Sequence, residues 1–278
     1  MDMKKKICLV IIFGVYSVFC FPQHDANNLL NIEKYSTING ERLLMQSNVL
    51  KQDKEIYIGL PAGYSDTVEY PLVLVLEGEI VFESFAPVTR LAGQVNEIPH
   101  CIVVGIPFHN NHLEYAPVIS AHPKSGFADT TLEFFRTELF PMLESRYPCT
   151  GDRIIWAHSA LGGMFSTYLL IGPDDQFTGI ISSSPALKWM TDYIYQEAIF
   201  NETAKKGKMF YYLTFGSNEA EAYMGEMYQK VQEFRQRLEN EAPDNLIWQF
   251  QLNENNNHFT NAVESYIDGL ILYFKLMQ

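Results

Sequence analysis

The stretch Ile154-Ile155-Trp156-Ala157-His158-Ser159-Ala160-Leu161-Gly162-Gly163-Met164-Phe165 decides how this chain is read. An apolar run ends in His-Ser, and a Gly-Gly pair opens a second apolar segment. That is the pattern of a strand, a tight turn and a helix, the arrangement that can present a nucleophile on a strained turn, G-x-S-x-G. Two counts compete. Counted forward from the strand, the apex is Ser159, with Ala157 and Leu161 two residues away on either side. Counted backward from Gly162-Gly163, the apex is Ala160, which has no nucleophilic atom. The first count keeps the His158-Ser159 pair but sets Leu161 where a small residue is wanted; the second keeps the trailing glycine. A purely structural serine is the third reading.

Outward from this turn, strands and helices alternate. Leu72–Leu76 and Cys101–Ile106 are unbroken apolar runs, as expected of strands covered on both faces. Phe127–Tyr147 carries Leu132, Phe135, Leu139, Met142 and Leu143 at helical spacing. Arg153–Trp156 is the strand before the turn and Gly162–Leu170 the helix after it. Phe177–Ile181, Met209–Phe215 and Leu246–Leu252 read as strands, and Gly225–Leu238 and Val263–Leu276 as helices. Arg42–Val49 and Glu55–Gly59 read as an antiparallel pair. The class expected is α/β, a mostly parallel central sheet with helices on both faces. In such sheets function gathers at the carboxyl ends of the strands.

The chain opens Met1-Asp2-Met3-Lys4-Lys5-Lys6 and continues with the apolar run Ile7 to Phe21. A cationic start and about 15 apolar residues match a secretory signal peptide and fall short of the roughly 20 residues of a membrane span. Residues 1–22 are therefore expected to be a signal peptide, 23–38 a polar N-terminal arm and 39–278 one domain. Phe19 is too bulky for the small residue that a lipidated Cys20 would need before it. Secretion or residence in a periplasm follows. The chain of 278 residues is 47% hydrophobic and 14% aromatic, enough for a full core, and its net charge of −13 argues against electrostatic binding of nucleic acid or anionic membranes. Cys101 and Cys149 each precede an apolar strand-like run and are expected as buried free thiols, with a disulfide in an oxidising compartment as the alternative. His109, His112 and His122 lie in a polar loop, where solvation rather than a metal is expected.

Several segments in order resemble the esterase D branch of the α/β-hydrolases, with ferric-enterobactin, feruloyl and acetyl-xylan esterases and S-formylglutathione hydrolases among its members. Tyr70-Pro71-Leu72-Val73-Leu74-Val75-Leu76-Glu77-Gly78 is similar to the family's YPVLYLLDG strand. Ile98-Pro99-His100-Cys101-Ile102-Val103-Val104-Gly105-Ile106-Pro107 is similar to its IPEMIVVGIP strand. Arg153–Tyr168 resembles its nucleophile strand and helix, Ile181–Trp189 its ISPSLWW segment, and Asn257-His258 with the following helix its histidine loop. The likeness spans roughly residues 40–276. It implies an α/β-hydrolase fold and a serine carboxylic-ester hydrolase acting through an acyl-enzyme on small, glycan-linked or siderophore-linked acyl esters.

Such chemistry needs a nucleophile, a base, an acid that orients the base, and two backbone N–H groups facing the developing oxyanion. The residues expected are Ser159 as nucleophile, His258 as base and, after the strand Met209–Phe215, Glu219 first and Glu221 second as acid. Solvated side chains at a loop and at a helix start are the plain alternatives for His258 and the two glutamates. Oxyanion donors are expected at Ala160 and, in the loop after Leu76, at Glu79. Phe108 and Trp189 are expected to wall the substrate pocket, with core packing as the alternative. The segment Phe108–Glu114 has Asn and His where the family often has arginine, which speaks against an anionic substrate. No metal or organic cofactor is implied. With Ala160 at the apex, the same fold would instead be a catalytically inactive binding protein.

Overall fold

The computed structural model describes residues 40–108, 112–120, 124–222 and 224–277. The expected signal peptide and arm lie outside them, as do His109 and His122. Among the described residues, eight strands form one sheet: β1 Gly40–Ser47, β2 Gln52–Gly59, β3 Tyr70–Leu76, β4 Ile102–Ile106, β5 Cys149–His158, β6 Gly179–Ser183, β7 Met209–Gly216 and β8 Leu246–Asn253. Their spatial order is β1-β2-β4-β3-β5-β6-β7-β8. β1 pairs antiparallel with β2, and β2 antiparallel with β4; every later pairing is parallel. The chain leaves β3 for β4 on one side and then crosses to β5 on the other. This reversal of direction opens a crevice at the carboxyl ends of β3 and β5.

Alternation along the strands explains the two cores. Leu72, Leu74, Leu76, Ile155 and Ala157 face one side and Val73, Val75, Ile154 and Trp156 the other, all fully buried. The first set packs on Phe134, Phe135, Met164, Phe165, Val231 and Phe234. These come from α2 (Ala128–Phe134), the π turn Phe135–Leu139, α4 (Ser159–Ile171) and α8 (Gly225–Glu241). The second set packs on Phe82 and Phe85 of α1 (Gly78–Gln94) and on Tyr266, Leu270 and Tyr273 of α9 (His258–Met277). Among the described residues, no helix is long and apolar enough to cross a membrane.

Most strands and helices expected from the apolar pattern are present, with shifted ends. The expected helix 127–147 is α2 and α3 (Phe140–Arg146), joined by the π turn. Short helices α5 (Thr191–Ile194), α6 (Asn201–Ala204) and α7 (Ser217–Ala222) fill the crossovers around β7. The loop expected after Leu76 is instead the first turn of α1. Pro87 inside that helix masks it in the sequence, although Phe82, Phe85, Ala86, Thr89, Ala92 and Gly93 line one buried face. Cys101 and Cys149 are free thiols before β4 and at the start of β5, flanking β3; only Cys101 is buried, and Cys149 is half-buried.

Candidate active site

β5 runs buried through Ile154–His158, and at Ser159 the backbone turns to φ +67° before entering α4. Ala160 is already in the first turn of that helix. The positive-φ position is therefore Ser159, at a cost of order 1–3 kcal/mol to a residue with a side chain. Leu161 is half-buried and packs against the core. Gly163 owes its identity to another neighbour: a Cβ there would lie 2.6 Å from Cα of Pro185, in the loop after β6. Gly163 thus answers to helix packing rather than to the apex, whereas a Cβ on Gly162 would make only ordinary contacts, 3.6 Å or more away; the backward count from the pair does not coincide with the positive-φ residue.

His258 opens α9. Asn257 caps that helix reciprocally: the Thr260 N–H donates to Asn257 Oδ1 at 3.0 Å, and the Asn257 N–H donates to Thr260 Oγ1 at 2.9 Å. The preceding asparagine-rich loop is pinned to the start of α7. Asn218 N–H donates to Asn256 O at 3.0 Å and Asn255 N–H to Ser217 Oγ at 2.9 Å. Gly216 makes this approach possible, because a Cβ on it would stand 2.5 Å from the Asn256 carbonyl oxygen.

Two loops that are about 40 residues apart in sequence thereby meet. Nδ1 of His258 lies 2.5 Å from Oε2 of Glu219. Glu219 is fully buried, and its other oxygen accepts the Gly216 N–H at 2.8 Å and the Ser184 hydroxyl. Glu221, by contrast, is exposed. With Nδ1 engaged, the ring nitrogen of His258 left for other partners is Nε2.

Behind this pair lies a buried polar network. Asn261 Nδ2 donates to Ser184 Oγ at 2.7 Å, Ser183 Oγ at 3.0 Å and Thr214 Oγ1 at 3.3 Å, while its Oδ1 accepts Asn253 Nδ2 at 2.8 Å. Ser183 Oγ lies 3.0 Å from Nδ1 of His158. The His158 ring stacks on Trp156 and sits 4.2 Å, centroid to centroid, from His258. Burial, reinforced by His258, pushes the His158 imidazole down to about 3, so it is neutral at physiological pH. Ser183, Ser184 and Asn261 had no individual signal in the sequence beyond the serine run Ser182-Ser183-Ser184 at a strand end.

Ala160 and Glu79 each stand in the first turn of a helix, where backbone N–H groups lack intrahelical acceptors. The carboxylate of Glu79 accepts the Phe108 N–H at 2.9 Å. Glu77, between β3 and α1, has φ +57°. A cleft of about 520 Å³ opens between the first turns of α1 and α9, with Glu77, Ile80, His158, His258, Phe259 and Val263 among its lining residues. Phe108 and Trp189 are not among the residues lining this cleft: the Phe108 ring packs 5.0 Å from that of Tyr115, and Trp189 is 41% exposed on the turn after β6. Among the described residues no group of three or more His, Cys, Asp or Glu could hold a metal ion.

Comparison with known proteins identifies the class. The family model described as "Putative esterase" matches residues 47–264, and the chain belongs to that family. The ferri-bacillibactin esterase BesA of Bacillus subtilis is 26% identical over 182 residues, 57% of this chain and 62% of that protein, so the match spans less than two thirds of the relative's length. An IroE-like serine hydrolase from Shewanella oneidensis superposes with a TM-score of 0.76 at 23% identity, covering 85% of this chain and 80% of the other. The siderophore hydrolase EstB from Aspergillus nidulans gives 0.73 at 16% identity, covering 88% and 97%. These structures establish the α/β-hydrolase fold.

Proposed function

We propose that this protein is a serine carboxylic-ester hydrolase that works through an acyl-enzyme. The observation that carries the reading is the conjunction of Ser159 at the positive-φ turn with the buried Glu219 bonded to His258 Nδ1. Ser159 Oγ attacks the ester carbonyl while His258 Nε2 takes its proton. The C–O bond to the alcohol then breaks, and the imidazolium returns that proton to the departing oxygen. Water repeats the sequence on the acyl-enzyme, releasing the acid and restoring Ser159. Glu219 holds the tautomer with Nδ1 protonated and stabilises the imidazolium. The N–H groups of Ala160 and Glu79 receive the oxyanion of both tetrahedral intermediates.

Acyl esters of small alcohols, glycans or siderophores are the substrate classes; the names of BesA and EstB favour the last. The cationic start and the apolar run Ile7–Phe21 favour action outside the cytoplasm. The inactive alternative requires Ala160 at the apex, and the positive φ at Ser159 speaks against it.

Hydrolysis of p-nitrophenyl acetate and butyrate tests the reading. Ser159→Ala is expected to abolish turnover and Ala160→Ser to add none. An inert parent that gains activity with Ala160→Ser would overturn it.

A further inference from the structure

The cleft between α1 and α9 holds a carboxyl group that the proposed mechanism does not use. Glu77 leaves β3 in the left-handed region, which a glutamate adopts at a cost, and enters α1 at Gly78. That turn is wedged in place: a Cβ on Gly78 would lie 2.8 Å from both the Gly105 carbonyl carbon and the Ile106 nitrogen of β4. The side chain is directed across the crevice, with Oε1 beside the first turn of α4, 3.7 Å from where a Cβ on Gly162 would stand. No described residue donates a hydrogen bond to it. Beside the polar Ser84, Asn257 and the two histidines, the cleft is lined by apolar side chains, Ile80 and Val81 from α1 and Phe259 and Val263 from α9, and no lysine or arginine lines it among the described residues. Ile80 and Phe259 are 67% and 73% exposed, so apolar surface continues to the rim.

We propose that this cleft is a binding subsite for an organic cation, an ammonium group on an apolar stem, whose charge is met by Glu77. That the ammonium belongs to a substrate rests on the ester-hydrolase reading; that the cleft binds it does not. An ammonium satisfies the carboxylate electrostatically, and its stem covers apolar wall, with the Phe85 and Phe259 side chains among the lining. An anion would meet Glu77 with like charge. About 520 Å³ accommodates a ring-sized group.

The pH dependence has a definite sign. Burial chiefly, then Glu79 on α1, raise the Glu77 carboxyl to about 7, while His258 on α9 pulls it the other way. His158 on β5, the remaining titratable group lining the cleft, is neutral in this range. Below about 7 the carboxyl therefore takes up a proton that an ammonium must displace, and affinity falls.

Calorimetric titration of the full chain with benzylammonium and with neutral, similarly shaped benzyl alcohol tests the proposal. At about pH 8 benzylammonium is expected to bind roughly tenfold tighter than the alcohol, and the preference to shrink at about pH 5.5. Glu77→Gln should remove the preference. Val263→Arg, at a half-exposed wall position, should abolish ammonium binding by placing a competing cation in the cleft. Equal binding of the two ligands, no binding of either, or a preference unchanged in both variants would overturn the proposal. Because no turnover is measured, a protein inert towards esters that shows the preference refutes only the hydrolase reading; an active one without it refutes only the cation subsite.

Discussion

Nδ1 of His258 and Oε2 of Glu219 stand 2.5 Å apart, joining the first residue of α9 to the first turn of α7. The contact has a chemical direction. Glu219 Oε1 is already committed to two donors, the Gly216 N–H and the Ser184 hydroxyl. Only Oε2 remains for the imidazole, which must donate from Nδ1 and leave Nε2 able to accept.

Replacing Glu219 with glutamine inverts that logic. The amide oxygen must stay with Gly216 and Ser184, which both donate, so the NH₂ faces His258. The imidazole then takes the tautomer protonated at Nε2 and cannot accept the Ser159 proton. Glu219→Gln is expected to lower kcat on p-nitrophenyl butyrate by about 10²- to 10⁴-fold with little change in KM. Steady-state kinetics and the NMR chemical shifts of the His258 ring nitrogens check the two halves of this prediction.

Ser159 carries the backbone cost of the turn, and glycine would not. Ser159→Gly is expected to abolish hydrolysis while raising unfolding free energy by up to about 1 kcal/mol. Ser159→Ala, which keeps a Cβ at φ +67°, should lose activity without that gain. Denaturant unfolding of the three proteins side by side measures the difference.

Gly216 sets the distance between the two loops. A methyl group there meets the Asn256 carbonyl oxygen at 2.5 Å and the Glu219 carboxylate at 3.1 Å, both of which must shift. Gly216→Ala is expected to destabilise the fold by about 1–3 kcal/mol, as overpacking does. It should also lower kcat through the displaced histidine loop. Unchanged kinetics in a folded Gly216→Ala protein would show that the loop does not depend on this contact.

His158 governs part of the acid response. Its imidazole is held down to about 3 in the folded state, by burial first and His258 second, against an ordinary value of 6.5. The unfolded chain thus binds a proton that the folded one refuses. The stability contribution is complete above about 6.5 and is lost as pH falls towards about 3. Glu77 acts with the opposite sign: raised from 4.5 to about 7, it stabilises below 4.5 and loses that contribution as pH rises through about 7. His158→Asn, which can keep a hydrogen bond to Ser183, is expected to flatten the fall in Tm between about pH 6.5 and pH 4. Thermal melts across that range test it.

The sequence by itself determined the architecture. Runs such as Leu72–Leu76 and Cys101–Ile106 could only be strands covered twice, and their alternation with helical spacing specified a parallel sheet. Helix α1 escaped because Pro87 breaks the pattern that Phe82, Phe85 and Thr89 otherwise carry. His258 and Glu219 were readable as candidates, since each follows a strand at the edge where such sheets gather chemistry. Their pairing was not, because contact between residues 39 apart depends on Gly216 and Asn256 approaching in space. Nor could the register of the turn be read from one dimension. Gly163 is small to admit Pro185, not to mark the apex, and only the folded backbone, with φ +67° at Ser159, separates these two reasons for a small residue. Local propensity and periodicity are written along the chain; close approach and backbone strain exist only between elements already packed.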